Sequence, residues 1–564
     1  MLAKKVTALL VSAALVLTLL AGCGGSKALS QVIADLLSGL YTNVDVEVDS
    51  DLTAALKKAA AEGGTEDEIL TRLVNNLNIT GGSITFTRLG DGQQGDHGVD
   101  LVFQTGSDPD AAARSALAQW ASVFGSLPDD GSYRAHVSMI EAENGYYIAV
   151  DVEVLKAGTP DKGDSGPSLG PNDVGYEDDD YSVEWADESS GQKLFKVKTA
   201  TGLIAWANYV RAGNWNTNCT LEEEANIDLT TTGNWEPIGT DDNNAYTGIF
   251  DGNGKTITGL TINNVSENVN VGMFAYNNGI VKNLTLNEAT IKNDLSVNSV
   301  GIVVGENLGT ITGCSVSGTV SHTAANGAVG GVAGANYGTI TDCSMENGSV
   351  IGDNSTVGGL IGLNPSTDIV DNCHVSNVTV QGSAAGGLVG DNAAFQNSIT
   401  GCWVENGSVT GSACAGGVVG RNEGEIIACY HINGSISRSG SASSSAFGGV
   451  AGNNTVNGKL TACYHSGSDI SGSTNYTGGV VGNNLNRNTA SITACYWSGY
   501  NGKGTGTLSS NKKGVTQVTN DGDGDTVTWA EALEGLNNAA SASGYQFDGT
   551  MDAPSLSKKT TVTP

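Results

Sequence analysis

The sequence predicts a mostly β protein, a parallel β-helix of about nine rungs with end caps, preceded by a small α+β domain. Three observations carry that prediction. First, a Gly-x-Asn turn recurs at Gly305/Asn307, Gly334/Asn336, Gly362/Asn364, Gly390/Asn392, Gly420/Asn422, Gly452/Asn454 and Gly482/Asn484, with Ala275/Asn277 as a degenerate first copy. Successive copies lie 28 to 32 residues apart, the period of one supersecondary unit stacked many times. Second, each unit holds three short apolar patches, of the types Gly-Gly-Val-x-Gly, Ile-Thr-x-Cys and Gly-Ser-Val, each too short for a helix and bounded by Gly, Asn and Ser. Third, glycine supplies 79 of 564 residues without a three-residue period, and charged residues only 15%. That excludes collagen and argues against a largely disordered chain.

The chain is too long for one core and divides as follows. Residues 1–22 read as a signal peptide, 23–30 as a lipidated tether, 31–158 as the α+β domain and 159–190 as an acidic Gly/Pro linker. Residues 191–510 read as the β-helix with its N-terminal cap, and 511–564 as a C-terminal capping segment and tail. The net charge of -32 repels phosphate backbones, so nucleic acid is set aside as a partner.

At the N-terminus, Lys4 and Lys5 precede an apolar run, Val6 to Leu20, too short for a comfortable membrane span. Leu20-Ala21-Gly22-Cys23 then resembles a bacterial lipoprotein lipobox. The resemblance implies cleavage before Cys23, acylation of its sulfur and tethering at the extracytoplasmic face of the cell membrane.

Within the α+β domain, Ser30 is placed to cap a helix through Leu40, and Asp49-Ser50-Asp51 precede a helical stretch from Leu52 to Ala61. Thr65-Glu66-Asp67-Glu68 is a capping box opening a third helix, with Ile69, Leu73 and Leu77 on one face. Ser83 to Arg88 and Val99 to Gln104 read as strands, Ala111 to Phe124 as a helix, and Tyr133 to Ile140 with Tyr146 to Leu155 as a hairpin. His97 and His136 read as ordinary surface or satisfied histidines. The run Glu177-Asp178-Asp179-Asp180, among Pro160, Pro167 and Pro171, reads as a self-repelling linker. Thr199 to Ala212 is helical in pattern and stands where a solenoid needs a cap over its open first rung.

In the repeats, Gly allows tight backbone approach, and Asn tolerates the left-handed region. Stacked Asn amides can also bond from rung to rung. Cys314, Cys343, Cys373, Cys402, Cys429, Cys463 and Cys495 occupy one place per unit. Stacked strands hold side chains parallel and about 4.8 Å apart, which does not suit a disulfide, so the column reads as buried free thiols. Cys219 and Cys414 stand outside it.

The stretch 192–556 resembles the GLUG-motif proteins, a β-solenoid family of bacterial surface proteins. It shows a lead-in (Ala225 to Leu229, Trp235 to Gly239, Gly248 to Ile262), repeats of the Gly-Gly-Val-Val-Gly-x-Asn type, and a closing segment, Thr528 to Leu556. The resemblance implies a right-handed parallel β-helix and a non-catalytic adhesion or binding role. The implied partners are an extracellular glycan or a surface protein of a host or bacterium.

The alternatives are a carbohydrate-active β-helix enzyme, of lyase or hydrolase type, and a pure spacer. No His is followed by Glu, so the zinc-protease helix motif is missing. Lyases and hydrolases need clustered carboxylates or a base near acidic ligands. Asp342, Asp371 and Asp391 lie in different columns, and Arg421, Arg438, Lys459 and Arg487 show no evident carboxylate partner. No cofactor is expected. Asp521, Asp523 and Asp525 resemble the start of a calcium loop, but Ala532 stands where the bidentate Glu belongs, so a solvated turn is the plainer reading.

The residue after each column Cys becomes a ring in five consecutive units: His374, Trp403, Tyr430, Tyr464 and Tyr496. Pointing outward, these make a flat ridge suited to sugar rings or a protein partner; pointing inward, they are core. Both readings stand at this point. The Ile-to-Cys spacing of three does require a corner between those two residues.

Overall fold

The computed structural model describes residues 26–157, 172–506 and 514–559, apart from 39–40, 42, 78, 80–81, 107, 126, 129, 226, 265–269, 325, 367–368, 441–444, 468, 472–475, 487–490 and 550–552. Cys23, the lipobox, Pro160, Pro167, Pro171 and Arg487 lie outside the described residues. The chain forms two compact units, residues 1–168 and 169–564.

The first unit is a four-stranded sheet between two pairs of helices. Its elements are α1 (Ser26–Leu37), β1 (Val44–Val48), α2 (Ser50–Ala60), α3 (Glu66–Leu77), β2 (His97–Thr105), α4 (Pro109–Gly125), β3 (Ser132–Ala142) and β4 (Gly145–Lys156). The sheet order is β1-β3-β4-β2, with β1 parallel to β3 and the other pairs antiparallel. Strand alternation sends Met139, Ile148 and Val150 toward α1 and α4, and Leu101, Ile140 and Ala149 toward α2 and α3. Asp49 caps α2 by accepting from the Asp51 and Leu52 amides at 2.6 and 2.7 Å. Thr65 and Glu68 close the capping box of α3.

Three expectations are corrected in this unit. Helix α1 starts at Ser26, inside the stretch read as a tether, and Ser30 does not cap it. Ser30 is buried, and its Oγ accepts from the Met139 amide at 2.9 Å, docking helix on sheet. Ser83 to Arg88 is not a strand, because Phe86–Asp91 winds into a 3-10 helix that buries Phe86 and Leu89. Strand β1 is an addition, although Val44, Val46 and Val48 alternate with Asp45 and Glu47 as a half-buried strand should.

Part of the stretch read as a linker is folded. β5 (Tyr181–Asp187) forms an antiparallel hairpin with β6 (Gln192–Val197). Asp178 accepts from the Asp180 and Tyr181 amides, both at 2.8 Å, and from the Tyr176 hydroxyl at 2.6 Å, so the acidic run is a built turn. α5 (Ala200–Arg211), capped by Thr199, buries Leu203, Trp206 and Val210, and Trp206 packs against Phe250 and Phe274 of the first coils. The apolar end of the stack is thereby closed.

The β-helix has about nine turns and three parallel sheets. One sheet consists of eight strands that end on the repeated Asn, from Phe274–Asn277 to Val481–Asn484. A second stacks the Thr-Ile-Thr-type strands, such as Thr310–Thr312 and Thr339–Thr341. The third holds the strands that follow each Cys, such as Ser344–Gly352 and His374–Gly386. Ile311, Ile340, Val370 and Ile399 from the second sheet fill the interior with Val332, Leu360, Leu388 and Val418 from the Gly-Gly-Val/Leu corners.

Candidate functional site

The Gly-x-Asn turn places each Asn carboxamide inside the stack. Asn277, Asn307, Asn336, Asn364, Asn392, Asn422, Asn454 and Asn484 are buried, and from Asn277 to Asn454 each Nδ2 donates to the next Oδ1 at 2.8–3.0 Å. Most of these Nδ2 groups also donate to a nearby carbonyl, as Asn422 does to Gly424 at 3.0 Å. The ladder is therefore a scaffold that fixes the register of everything outside it.

At the next corner stands the cysteine column. The residue before each Cys has positive φ: 63° at Gly313, 54° at Asp342, 53° at Asn372, 64° at Gly401, 51° at Ala428, 54° at Ala462 and 48° at Ala494. Each thiol then donates to the carbonyl two residues earlier, at 3.1–3.5 Å. The nine described cysteines, Cys219 and Cys414 included, are free and buried.

Beyond the corner the rings point away from the stack's interior and lie on one another. His374 stacks on Trp403 at 4.6 Å and 3°, and Tyr430 on Tyr464 at 4.9 Å and 9°. They do not form an open ridge. The C-terminal segment folds back across them, through α6 (Trp529–Ala539) and a hairpin of Tyr545–Asp548 with Ser555–Lys558. Leu536, Ala540, Tyr545 and Phe547 cover the column, leaving Tyr464 0% and Tyr430 4% exposed. The Tyr464 hydroxyl donates to the Pro554 carbonyl, and Lys558 reaches Asp371 at 3.2 Å. Burial, with Glu405 alongside, pushes the Tyr430 hydroxyl's pKa up. His374, with its side chain 29% exposed, and Trp403 remain partly open beside this clasp.

A sequence signal for the clasp exists. The uncovered corners are Asn283, Gly313, Asp342 and Asn372, residues suited to the left-handed region, whereas Ala428, Ala462 and Ala494 accept its strain in the last rungs. Ala428 and Ala462 are buried beneath the clasp, where a polar side chain would be stranded. A Cβ on Gly401 would run into the Tyr545 ring. Tyr464→Ala is expected to cost about 3–5 kcal/mol, the range for emptying a buried aromatic site, and to open the C-terminal segment to protease. Denaturant melts and limited proteolysis check both effects.

Two chain-neighbours of the rings point inward. His431 and His465 take the interior positions that Val375 and Val404 hold in earlier rungs. Their rings stack at 5.0 Å and 8°, with Nδ1 to Nδ1 at 3.0 Å, and His465 Nε2 lies 3.1 Å from the Gly467 carbonyl. That network assigns the proton of His465 to Nε2 and the shared proton to His431 Nδ1. Glycine makes the room, since a Cβ on Gly417 or Gly449 would strike these rings. Burial holds His431 well below its ordinary value and His465 at about 4.

The outward ionisable groups pair between rungs. Arg421 meets Asp391 at 2.9 Å, and Lys459 meets Glu425 at 2.6 Å. This corrects the expectation that those cations have no carboxylate partner. The pairs join residues 30 and 34 positions apart, one turn of the stack, so they are invisible to local spacing.

A third corner is open. The strands after Cys343, Cys373, Cys402 and Cys429 bend at Asn347, Asn377, Asn406 and Asn433, all exposed and at φ 53–55°. Along it a groove of about 610 Å³ crosses four rungs, from Asn377 through Asn406 and Asn433 to Asp469. Sequence reading passed over this column because Asn-Gly-Ser there looks like an ordinary turn.

No family model matches the chain, and no solved structure matches it. Two curated proteins share part of it. A stretch of 107 residues, 17% of this chain, is 36% identical to 1% of Halomucin from Haloquadratum walsbyi. A stretch of 140 residues, 24% of this chain, is 34% identical to 16% of a Putative Gly-rich membrane protein from Evansella cellulosilytica. The chain thus spans only a small part of either relative, and the likeness reaches a fraction of its own length.

Among the described residues no helix is long and apolar enough to cross a membrane. Asp521, Asp523 and Asp525 are exposed, and Glu531 beside them closes the capping box of α6 with Thr528. Among the described residues no three His, Cys, Asp or Glu side chains converge as a metal site would require. In the first unit His97 lies 3.0 Å from Asp151, whose carboxyl pKa is raised by burial, and His136 lies 3.3 Å from Asp49.

Proposed function

We propose that this chain is a lipid-anchored protein of the bacterial cell surface. Its GLUG-type β-helix is a non-catalytic adhesion or binding scaffold for a glycan or protein ligand. The observation that carries the binding reading is the open groove along one corner, lined by amides and hydroxyls and held in register by the buried Asn ladder. The inter-rung ion pairs support the same reading, because they commit the outward carboxylates and cations that acid–base chemistry would use. The membrane location is supported by the lipobox-like Leu20 to Cys23 and by the partial likeness to a Gly-rich membrane protein.

The anchor is tested by mass spectrometry of the chain extracted from membranes. The expected mature N-terminus is Cys23 carrying acyl chains. A mature chain starting elsewhere, or with Cys23 as a free thiol, contradicts the anchor.

A further inference from the structure

We propose that the corner groove over Asn377, Asn406 and Asn433 binds a neutral, extended polysaccharide running along the helix axis. This rests on the reading of the β-helix as a binding scaffold, and it names the site and the ligand class.

The lining chemistry selects hydroxyl-rich ligands. A carboxamide offers two donors and an acceptor, and a serine or threonine hydroxyl offers both roles, which matches the adjacent hydroxyls of a sugar ring. The left-handed backbone at each Asn turns the carboxamide outward. Among the described residues no protein group bonds the carboxamides of Asn406 or Asn433. Beside them lie Ser408 and Ser435, one per rung.

The spacing selects a polymer. Equivalent Asn and Ser side chains repeat about every 4.8 Å along the stack, close to the advance of one ring in an extended, equatorially linked sugar chain. A groove crossing four rungs, of about 610 Å³, therefore has room for consecutive rings in register with consecutive rungs. That volume lies within the roughly 300–1,000 Å³ of small-molecule sites.

Charge and apolarity exclude the competitors. Among the described residues of the lining Asp469 is the one that ionises, and the chain carries a net charge of -32, so an anionic polymer is repelled. Among the described residues the lining holds no aromatic side chain and no Arg, and its Val378 is buried, so the anchors of a protein hot spot are missing there.

The test is calorimetric titration of the full chain with cello-, xylo- and manno-oligosaccharides of increasing length, repeated on Asn406→Gly/Asn433→Gly. Glycine takes the same left-handed backbone at these exposed positions without strain, so the fold is kept. A melting curve verifies that. The expected result is affinity that rises with length until the four rungs are filled. In the variant it should fall by about tenfold or more, as two lost hydrogen-bonding groups imply. Equal affinity in the well-folded variant overturns the groove and leaves the scaffold reading standing. Binding of anionic polysaccharide or protein alone overturns the ligand class. If no glycan, polymer or cell-surface protein is retained, the scaffold reading itself falls.

Discussion

Asn422→Ala is expected to destabilise the β-helix by about 2–6 kcal/mol. Asn422 accepts from Asn392 Nδ2 and donates to Asn454 Oδ1, with both neighbours fully buried. Alanine leaves a donor on one side and an acceptor on the other without partners, and each orphaned buried group costs roughly 1–3 kcal/mol. The end of the ladder behaves differently. Asn277 has one ladder bond, to Asn307, and otherwise accepts only from the half-buried Gly279 amide at 3.2 Å, so Asn277→Ala orphans one fully buried partner instead of two and is expected to cost less. Chemical denaturation of the two variants beside the parent gives the comparison. Equal losses would mean that the ladder bonds are not the source of the cost.

Acidification is expected to loosen the same rungs through the buried histidine pair. An unfolded histidine has an ordinary value near 6.5, whereas folded His465 titrates at about 4 and His431 also lies well below the ordinary value. Below pH 6.5 the unfolded chain therefore binds protons that the folded chain refuses. Stability contributed by the neutral pair is complete above pH 6.5 and declines as pH falls; the His465 share stops declining near pH 4. For His465 alone the difference corresponds to about 3 kcal/mol. Replacing both rings by valine, the residue at this place in Val375 and Val404, should remove the decline between those pH values. A parent and double variant with parallel stability-versus-pH curves would contradict this origin. The pair lies behind Gly434 and Gly467 of the groove floor.

The repeating part of the fold was legible because every rung repeats the same physical demands. Gly-x-Asn marks the internal ladder, and the three-residue step from Ile to Cys marks the left-handed corner. The thiols could be read as free because a parallel stack cannot bring them into disulfide geometry. The non-repeating parts were less legible. The acidic run around Asp178 looks like a solvated linker until the turn into β5 brings the Asp180 and Tyr181 amides and the Tyr176 hydroxyl onto its carboxylate. Neither the direction of the Tyr430 and Tyr464 rings nor their cover could be read from the repeat. The segment that buries them comes from about 90 residues away in sequence, as the Tyr464 bond to Pro554 shows. The change from Asn and Gly to Ala at the corners beneath it was the available clue. The inter-rung pairing of Arg421 with Asp391 was hidden for a related reason, since residues one turn apart are neighbours only after the chain has stacked.

The central claim, that this β-helix holds a ligand without transforming it, is tested most directly by one measurement. The full chain is incubated with linear neutral and anionic polysaccharides, and the retained polymer is sized after release. The account predicts retention of a neutral polymer with its length unchanged, however long the incubation. Shortened polymer, or retention of the anionic polymers alone, would contradict it.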